Sequence, residues 1–179
     1  MKPFVDAFTL LTVIPIPFLR RENASVPSKF APLFFPLIGL LIGLGAAAIF
    51  ALLNDLLPRN LSAAITLVAL VGITGALHID GLADSFDGML GGRDPESRLR
   101  IMKQPDIGAF GVVAVVLVLL VDWAALASIS TTTAWVALPM IGLMSRTAPL
   151  VIMSIASYVS ANGLGQSYVN LPKPALIAM

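Results

Sequence analysis

Four apolar runs, each long enough to cross a lipid bilayer, constrain this chain more than any other feature. A spanning helix needs about 20 mostly apolar residues. Residues 33–54, 61–79, 107–130 and 134–157 meet that length. Only 12% of the chain is charged and 58% is hydrophobic, whereas soluble domains carry roughly a quarter charged residues. The mean hydropathy is +0.93. A water-soluble fold of this size would leave large apolar patches exposed. The reading is an all-α polytopic integral membrane protein, with about four transmembrane helices in a single transmembrane domain over residues 1–179.

Two shorter helices complete the expectation. Residues 2–19 are apolar but are cut by Pro15 and Pro17, which suits a helix that lies at the interface or re-enters the membrane. Asp94, Pro95 and Glu96 form a helix start: an N-cap, a proline at the first helical position and an acid in the first turn. Pro105 ends that segment. It reads as a short amphipathic surface helix anchored by Leu99, Ile101 and Met102, after which Asp106 is placed to cap the third span.

Basic residues favour the cytoplasm. Lys2, Arg20, Arg21 and Lys29 precede the first span, and Arg93, Arg98, Arg100 and Lys103 lie between the second and third. The second connection carries only Arg59 and the last carries none. The N-terminus and the loop 80–106 therefore both face the cytoplasm. The N-terminus shows no cleavable signal pattern. A formal net charge of +1 gives no electrostatic case for nucleic acid. The absence of cysteine excludes disulfides and thiolate chemistry. Gly39 and Gly43 form a GxxxG pair in the first span, which reads as close helix packing, as a homo-oligomer contact, or as ordinary glycine content.

The chemistry gathers in His78-Ile79-Asp80-Gly81-Leu82-Ala83-Asp84-Ser85-Phe86-Asp87-Gly88. At roughly 100° per residue, Asp80, Asp84 and Asp87 fall within about 60° of one another on a helix that continues the second span. Three neighbouring carboxylates repel unless a cation or a proton sits among them. Hard oxygen ligands suit Mg2+, which usually takes one or two carboxylates and completes its shell with water and substrate phosphate. Gly81 and Gly88 remove bulk where a ligand or a second backbone approaches. Arg98, Arg100 and Lys103 are suited to phosphate oxygens. His78 points away from Asp80 on a helix and reads as a general base or phosphate donor, or as an interfacial histidine satisfied by a neighbour. Basic residues elsewhere at span ends read as a solvated face, and Trp123 and Trp135 as interface anchors.

These stretches resemble the cobalamin synthase family, the adenosylcobinamide-GDP ribazoletransferases. The resemblance runs through Leu10-Leu11-Thr12-Val13-Ile14-Pro15-Ile16-Pro17, then Phe35 to Gly43, the aspartate motif, Ile101 to Gly111, Ser145-Arg146 and Gly163-Leu164-Gly165. It implies a multi-pass enzyme of the cell (inner) membrane that is Mg2+-dependent. Such an enzyme joins adenosylcobinamide-GDP to α-ribazole or its 5′-phosphate and releases GMP. It implies Asp80, Asp84 and Asp87 as metal ligands, with one of them or His78 taking the hydroxyl proton. It implies Arg98, Lys103, Arg146, Ser145, Gly81 and Gly88 at the substrate. Two departures stand out. Family members commonly carry a DSR-type stretch where this chain reads Gln104-Pro105-Asp106, and they continue past Met179 with a TGD-type motif, so the chain is expected to be C-terminally truncated. The rival readings are a membrane phosphotransferase of the CDP-alcohol type, a cation transporter and an inactive membrane scaffold.

Overall fold

The computed structural model describes residues 2–15 and 28–155. All regular structure among them is helical: α1 (Lys2–Leu11), a 3-10 turn (Ala31–Phe34), α2 (Phe35–Asn54), α3 (Arg59–Ile73), α4 (Leu77–Gly91), α5 (Pro95–Ile101), α6 (Ala109–Ser128) and α7 (Thr131–Ile155). Three segments are long and apolar enough to cross a membrane: Ala31–Asn54, Ala109–Ser128 and Thr131–Met153. These match three of the four expected spans to within a few residues at each described end. The ends expected at residues 19 and 157 lie outside the described residues.

The second expected span, 61–79, is not one helix. It stops at Ile73, and α4 sets off at 88° to α3, so the two reach spanning length only as a bent pair. The cause is local. Gly75 and Ala76 both take left-handed φ values, 60° and 57°. The Ala76 amide donates to Val71 O (2.9 Å) and the Gly75 amide to Gly72 O (3.1 Å). That pair of bonds closes a helix C-terminus around a left-handed residue. The motif carrying the aspartates therefore stands on a helix of its own.

The chain forms two compact units. The first takes the described residues up to Ile49 and from Thr131 onward; the second is Phe50–Ser130. In the first, α1 packs on the 3-10 turn through Phe4 and Phe34, whose rings meet edge-on at 5.8 Å. The buried Asp6 carboxylate accepts the Ser28 amide at 2.8 Å. α2 packs on α7 with no side chain between them at two levels. A Cβ on Gly39 would strike the Gly142 carbonyl, and one on Gly43 would strike the Leu138 carbonyl and Pro139. The GxxxG pair is thus a seat for α7 of the same chain.

In the second unit, α6 packs against both α3 and α4, and small side chains let them approach: Ala63, Ala83 and Ala114 are buried. Ser62 and Thr66, also buried, satisfy their hydroxyls on backbone carbonyls of α3 and the turn before it. The Trp123 indole N–H donates to Asn60 O at 2.9 Å, fastening α6 to the start of α3. Val113, Leu117, Leu120 and Val121 on α6 stay more than half exposed, a surface suited to lipid rather than water.

Candidate functional site

A cavity of about 360 Å³ between α3 and α6 is walled by Ala64, Leu67, Val68, Val71, Leu119 and Trp123. It offers no charged group; most ionisable side chains of the unit stand instead on α4 and the loop that follows. The three aspartates of α4 share a face but not an environment. Asp80 is exposed, Asp84 half-buried and Asp87 buried, only 8% exposed. No side-chain hydrogen bond is formed by the Asp80 or Asp84 carboxylate among the described residues. Asp87 is fully engaged instead. Its Oδ2 accepts the Gly108 amide at 2.7 Å and its Oδ1 the Gly111 amide at 2.8 Å. No three His, Asp or Glu side chains among the described residues are gathered closely enough to hold one ion together.

The two glycines of the motif differ as well. Gly81 faces open space, while a Cβ on Gly88 would press on the Met102 side chain and stand 3.1 Å from Arg98 O. Gly88 is therefore where α5 comes down onto α4. Gly92 is crowded in the same way by the Arg98 backbone, and Arg98 Nε donates back to Gly92 O at 3.1 Å. The Arg98, Arg100 and Lys103 side chains remain exposed, and Leu99, Ile101 and Met102 are half-buried, as expected of a surface helix.

The start of α5 is built as the sequence suggests. Asp94 Oδ1 accepts the Ser97 amide at 2.8 Å, and the Asp94 amide donates to Ser97 Oγ at 3.1 Å, a reciprocal cap. These bonds to Ser97, the backbone one foremost, hold the Asp94 carboxyl below the usual carboxylate range. The start of α6 differs from the expectation. Gly108, not Asp106, is its N-cap residue, and it has no side chain to offer. Asp106 is exposed, and the missing acceptor comes from Asp87, 21 residues earlier.

The cobalamin-5-phosphate synthase family profile matches residues 3–179. The chain belongs to that family. An adenosylcobinamide-GDP ribazoletransferase of Pseudomonas fluorescens (strain Pf0-1) is 45% identical over 177 residues, covering 97% of this chain and 71% of its own length. One from strain Pf-5 of the same species is 40% identical over 179 residues, covering 98% and 72%. One from Acinetobacter baumannii (strain ATCC 17978) is 37% identical over 177 residues, covering 98% and 71%. No solved structure matches the chain.

In this member of the family, the second unit brings Asp80, Asp84, Asp87, Gly81, Gly88, Arg98 and Lys103 onto α4, α5 and the turn after it, with His78 in the first turn of α4. Ser145 and Arg146 stand on α7 in the first unit. There, Arg146 Nη1 donates to Ser145 Oγ at 2.6 Å, and Arg146 Nε is buried with no partner among the described residues. Sequence reasoning missed Gly108 and Gly111. Their spacing of three, at the start of the third apolar run, was the available signal for a helix start that lends its amides to another residue.

Proposed function

We propose that the chain is an adenosylcobinamide-GDP ribazoletransferase: it joins adenosylcobinamide-GDP to α-ribazole, or to α-ribazole 5′-phosphate, and releases GMP. One observation carries the reading. In a chain 37–45% identical to transferases of that name, Asp80 and Asp84 project from α4 without protein donors, while the following loop supplies exposed Arg98, Arg100 and Lys103.

The carboxylates suit a Mg2+ site of the usual kind, with one or two protein ligands and the remainder water and phosphate. Asp80 and Asp84 would hold the ion, which supplies charge neutralisation at the pyrophosphate. Asp87 fits that role less well, because each of its oxygens already accepts an amide. Phosphoryl-type transfer asks a protein chiefly for positioning and electrostatic stabilisation. Arg98, Arg100 and Lys103 provide it by binding phosphate oxygens, the arginines as planar forks and the lysine as a point charge. Arg146 with Ser145 is a further cationic group for the substrate. The ribose hydroxyl that attacks phosphorus gives its proton to His78 or to a carboxylate of α4, and GMP departs. The basic-residue pattern of the loops supports a cytoplasmic mouth on the cell (inner) membrane. The rival transporter and scaffold readings give no role to the basic loop that follows the carboxylates in the chain.

The test is GMP release by the chain in liposomes supplied with adenosylcobinamide-GDP, α-ribazole phosphate and Mg2+. Release that requires Mg2+ and falls at least about 100-fold in Asp84→Asn is expected, the scale typical of losing one preorganised charge-stabilising group. Cation flux across the vesicles without GMP release would replace the proposal with the transporter reading.

A further inference from the structure

We infer that Asp87 is a positioning residue: its carboxylate caps α6 from the neighbouring helix and so pins the far end of the basic loop, residues 92–107, against the face that carries Asp80 and Asp84. The catalytic consequence rests on the transferase reading; the clamp itself does not.

The first amides of a helix have no partner within it, and a carboxylate among them gains from the helix dipole and from charge-assisted bonds. At α6 the residue in the capping position is Gly108, which carries no acceptor. Asp87 fills the gap from α4, one oxygen to the Gly108 amide and one to the Gly111 amide. A carboxylate this buried is costly unless bonded, and here it is bonded on both oxygens.

The glycines are there for room rather than for backbone freedom. Gly108 has φ −89° and ψ 173°, extended backbone open to any residue. Yet a Cβ on it would run into the Asp87 carboxylate, and its three nearest neighbours would all be Asp87 atoms. A Cβ on Gly111 would meet the same carboxylate and also Ala83 O, at 2.9 Å. The carboxylate and the two glycines fit as a set. Within the loop, Arg98 of α5 is tied to Gly92 O and its backbone crosses Gly88, the residue next to Asp87. The α5 segment of the basic loop and the helix start that follows the loop therefore close on the same turn of α4. An ion at Asp87 would have to share oxygens that this closure already uses.

The clamp is tested first without metal or substrate, by amide hydrogen exchange of the whole chain in detergent with a chelator present. In Asp87→Asn the side-chain NH2 faces one of the two amides, so one bond is lost. Exchange across residues 107–112 is expected to rise about tenfold, whereas Asp84→Asn leaves that segment unchanged. Gly108→Ala provides a second route that keeps the carboxylate. It is expected to raise the same exchange in the parent chain and to add little on an Asp87→Ala background, because the three atoms nearest its methyl, all of Asp87, are gone. Kinetics then separate positioning from ligation. Asp87→Asn is expected to raise KM for the nucleotide substrate while the half-saturating Mg2+ concentration stays put, and Asp84→Asn to move the Mg2+ requirement. Unchanged exchange at 107–112 in both Asp87→Asn and Gly108→Ala would overturn the clamp. A rise in half-saturating Mg2+ as large as that of Asp84→Asn would overturn positioning in favour of metal ligation. If the parent chain releases no GMP at all, the transferase reading fails while the exchange result still decides the clamp.

Discussion

Replacing Gly39 or Gly43 by alanine tests the packing of α2 on α7 most directly. The perturbation is a single methyl group. At Gly39 it would overlap the Gly142 carbonyl and stand 3.1 Å from the Arg146 Cβ; at Gly43 it would overlap the Leu138 carbonyl and stand 2.6 Å from the Pro139 Cα. Most of these atoms are backbone, so no rotamer change relieves the overlap. Carbon atoms settle at about 3.5–4.0 Å, so α7 must back away by roughly 1 Å or more. Such overpacking typically costs about 1–3 kcal/mol, because contacts all along the seam loosen with it. Gly45 on the same helix is the internal control, since a Cβ there meets nothing within 4 Å. Alanine at Gly45 is expected to change stability by no more than about 0.5 kcal/mol. The assay is unfolding of purified protein in mixed micelles, followed for the three single variants and for Gly39→Ala/Gly43→Ala together. The double variant is expected to cost less than the sum of the singles, because both bumps are relieved by one movement of α7. If Gly39→Ala and Gly43→Ala are tolerated as well as Gly45→Ala, the two helices do not meet there.

Three other outcomes are expected. Ala76→Gly should stabilise the break between α3 and α4 by about 1 kcal/mol, because it relieves a left-handed alanine with φ 57°, and Gly75→Ala should destabilise it by a similar amount; micellar unfolding reads both. Trp123→Phe should lose about 1 kcal/mol with the indole bond to Asn60 O, seen as faster hydrogen exchange at the start of α3. Asp94 is held below its ordinary value of 3.8 by its bonds to Ser97, so its contribution to α5 is complete above that value and is lost as the pH falls through the lower folded value; exchange over residues 94–101 should rise on acidification below pH 4, and in Asp94→Ala it should be high already at neutral pH.

Long apolar periodicity made the spans legible. The expected starts at 33 and 107 and the end at 54 fall within two residues of the observed helices, because hydrophobic length is a property of the chain itself. The cap at Asp94 was equally legible, since donor and acceptor lie three residues apart. The break after Ile73 was not. Apolar character runs straight through residues 71–77, and the reversal depends on the φ of a glycine and of an alanine, the latter a residue that seldom turns left-handed. The division of labour among the aspartates was hidden for a different reason. Helical spacing placed all three on one face, but what separates Asp87 from Asp80 and Asp84 is contact with Gly108 and Gly111, 21 and 24 residues away. The glycine pair in α2 likewise announced a close neighbour without saying that it was α7.

The bend between α3 and α4 has a consequence for the surrounding lipid. α3 has 15 residues, which at 1.5 Å each gives about 22 Å, against a hydrocarbon layer of about 30 Å. An upright α3 falls short by roughly 8 Å, so the perpendicular α4, with Asp80 and Asp84, lies beneath the level of the surrounding headgroups unless the bilayer dips to meet it. Hydrophobic mismatch of this kind costs fractions of a kcal/mol per Å and is relieved by local thinning. Acyl-chain length then becomes a variable of the site: GMP release should fall as the protein is moved from vesicles of short-chain to long-chain lipids, and rates indifferent to thickness would mean that α3 does not stand upright. A dimple in the membrane would let a bulky amphipathic substrate stay anchored in lipid while its phosphates reach water.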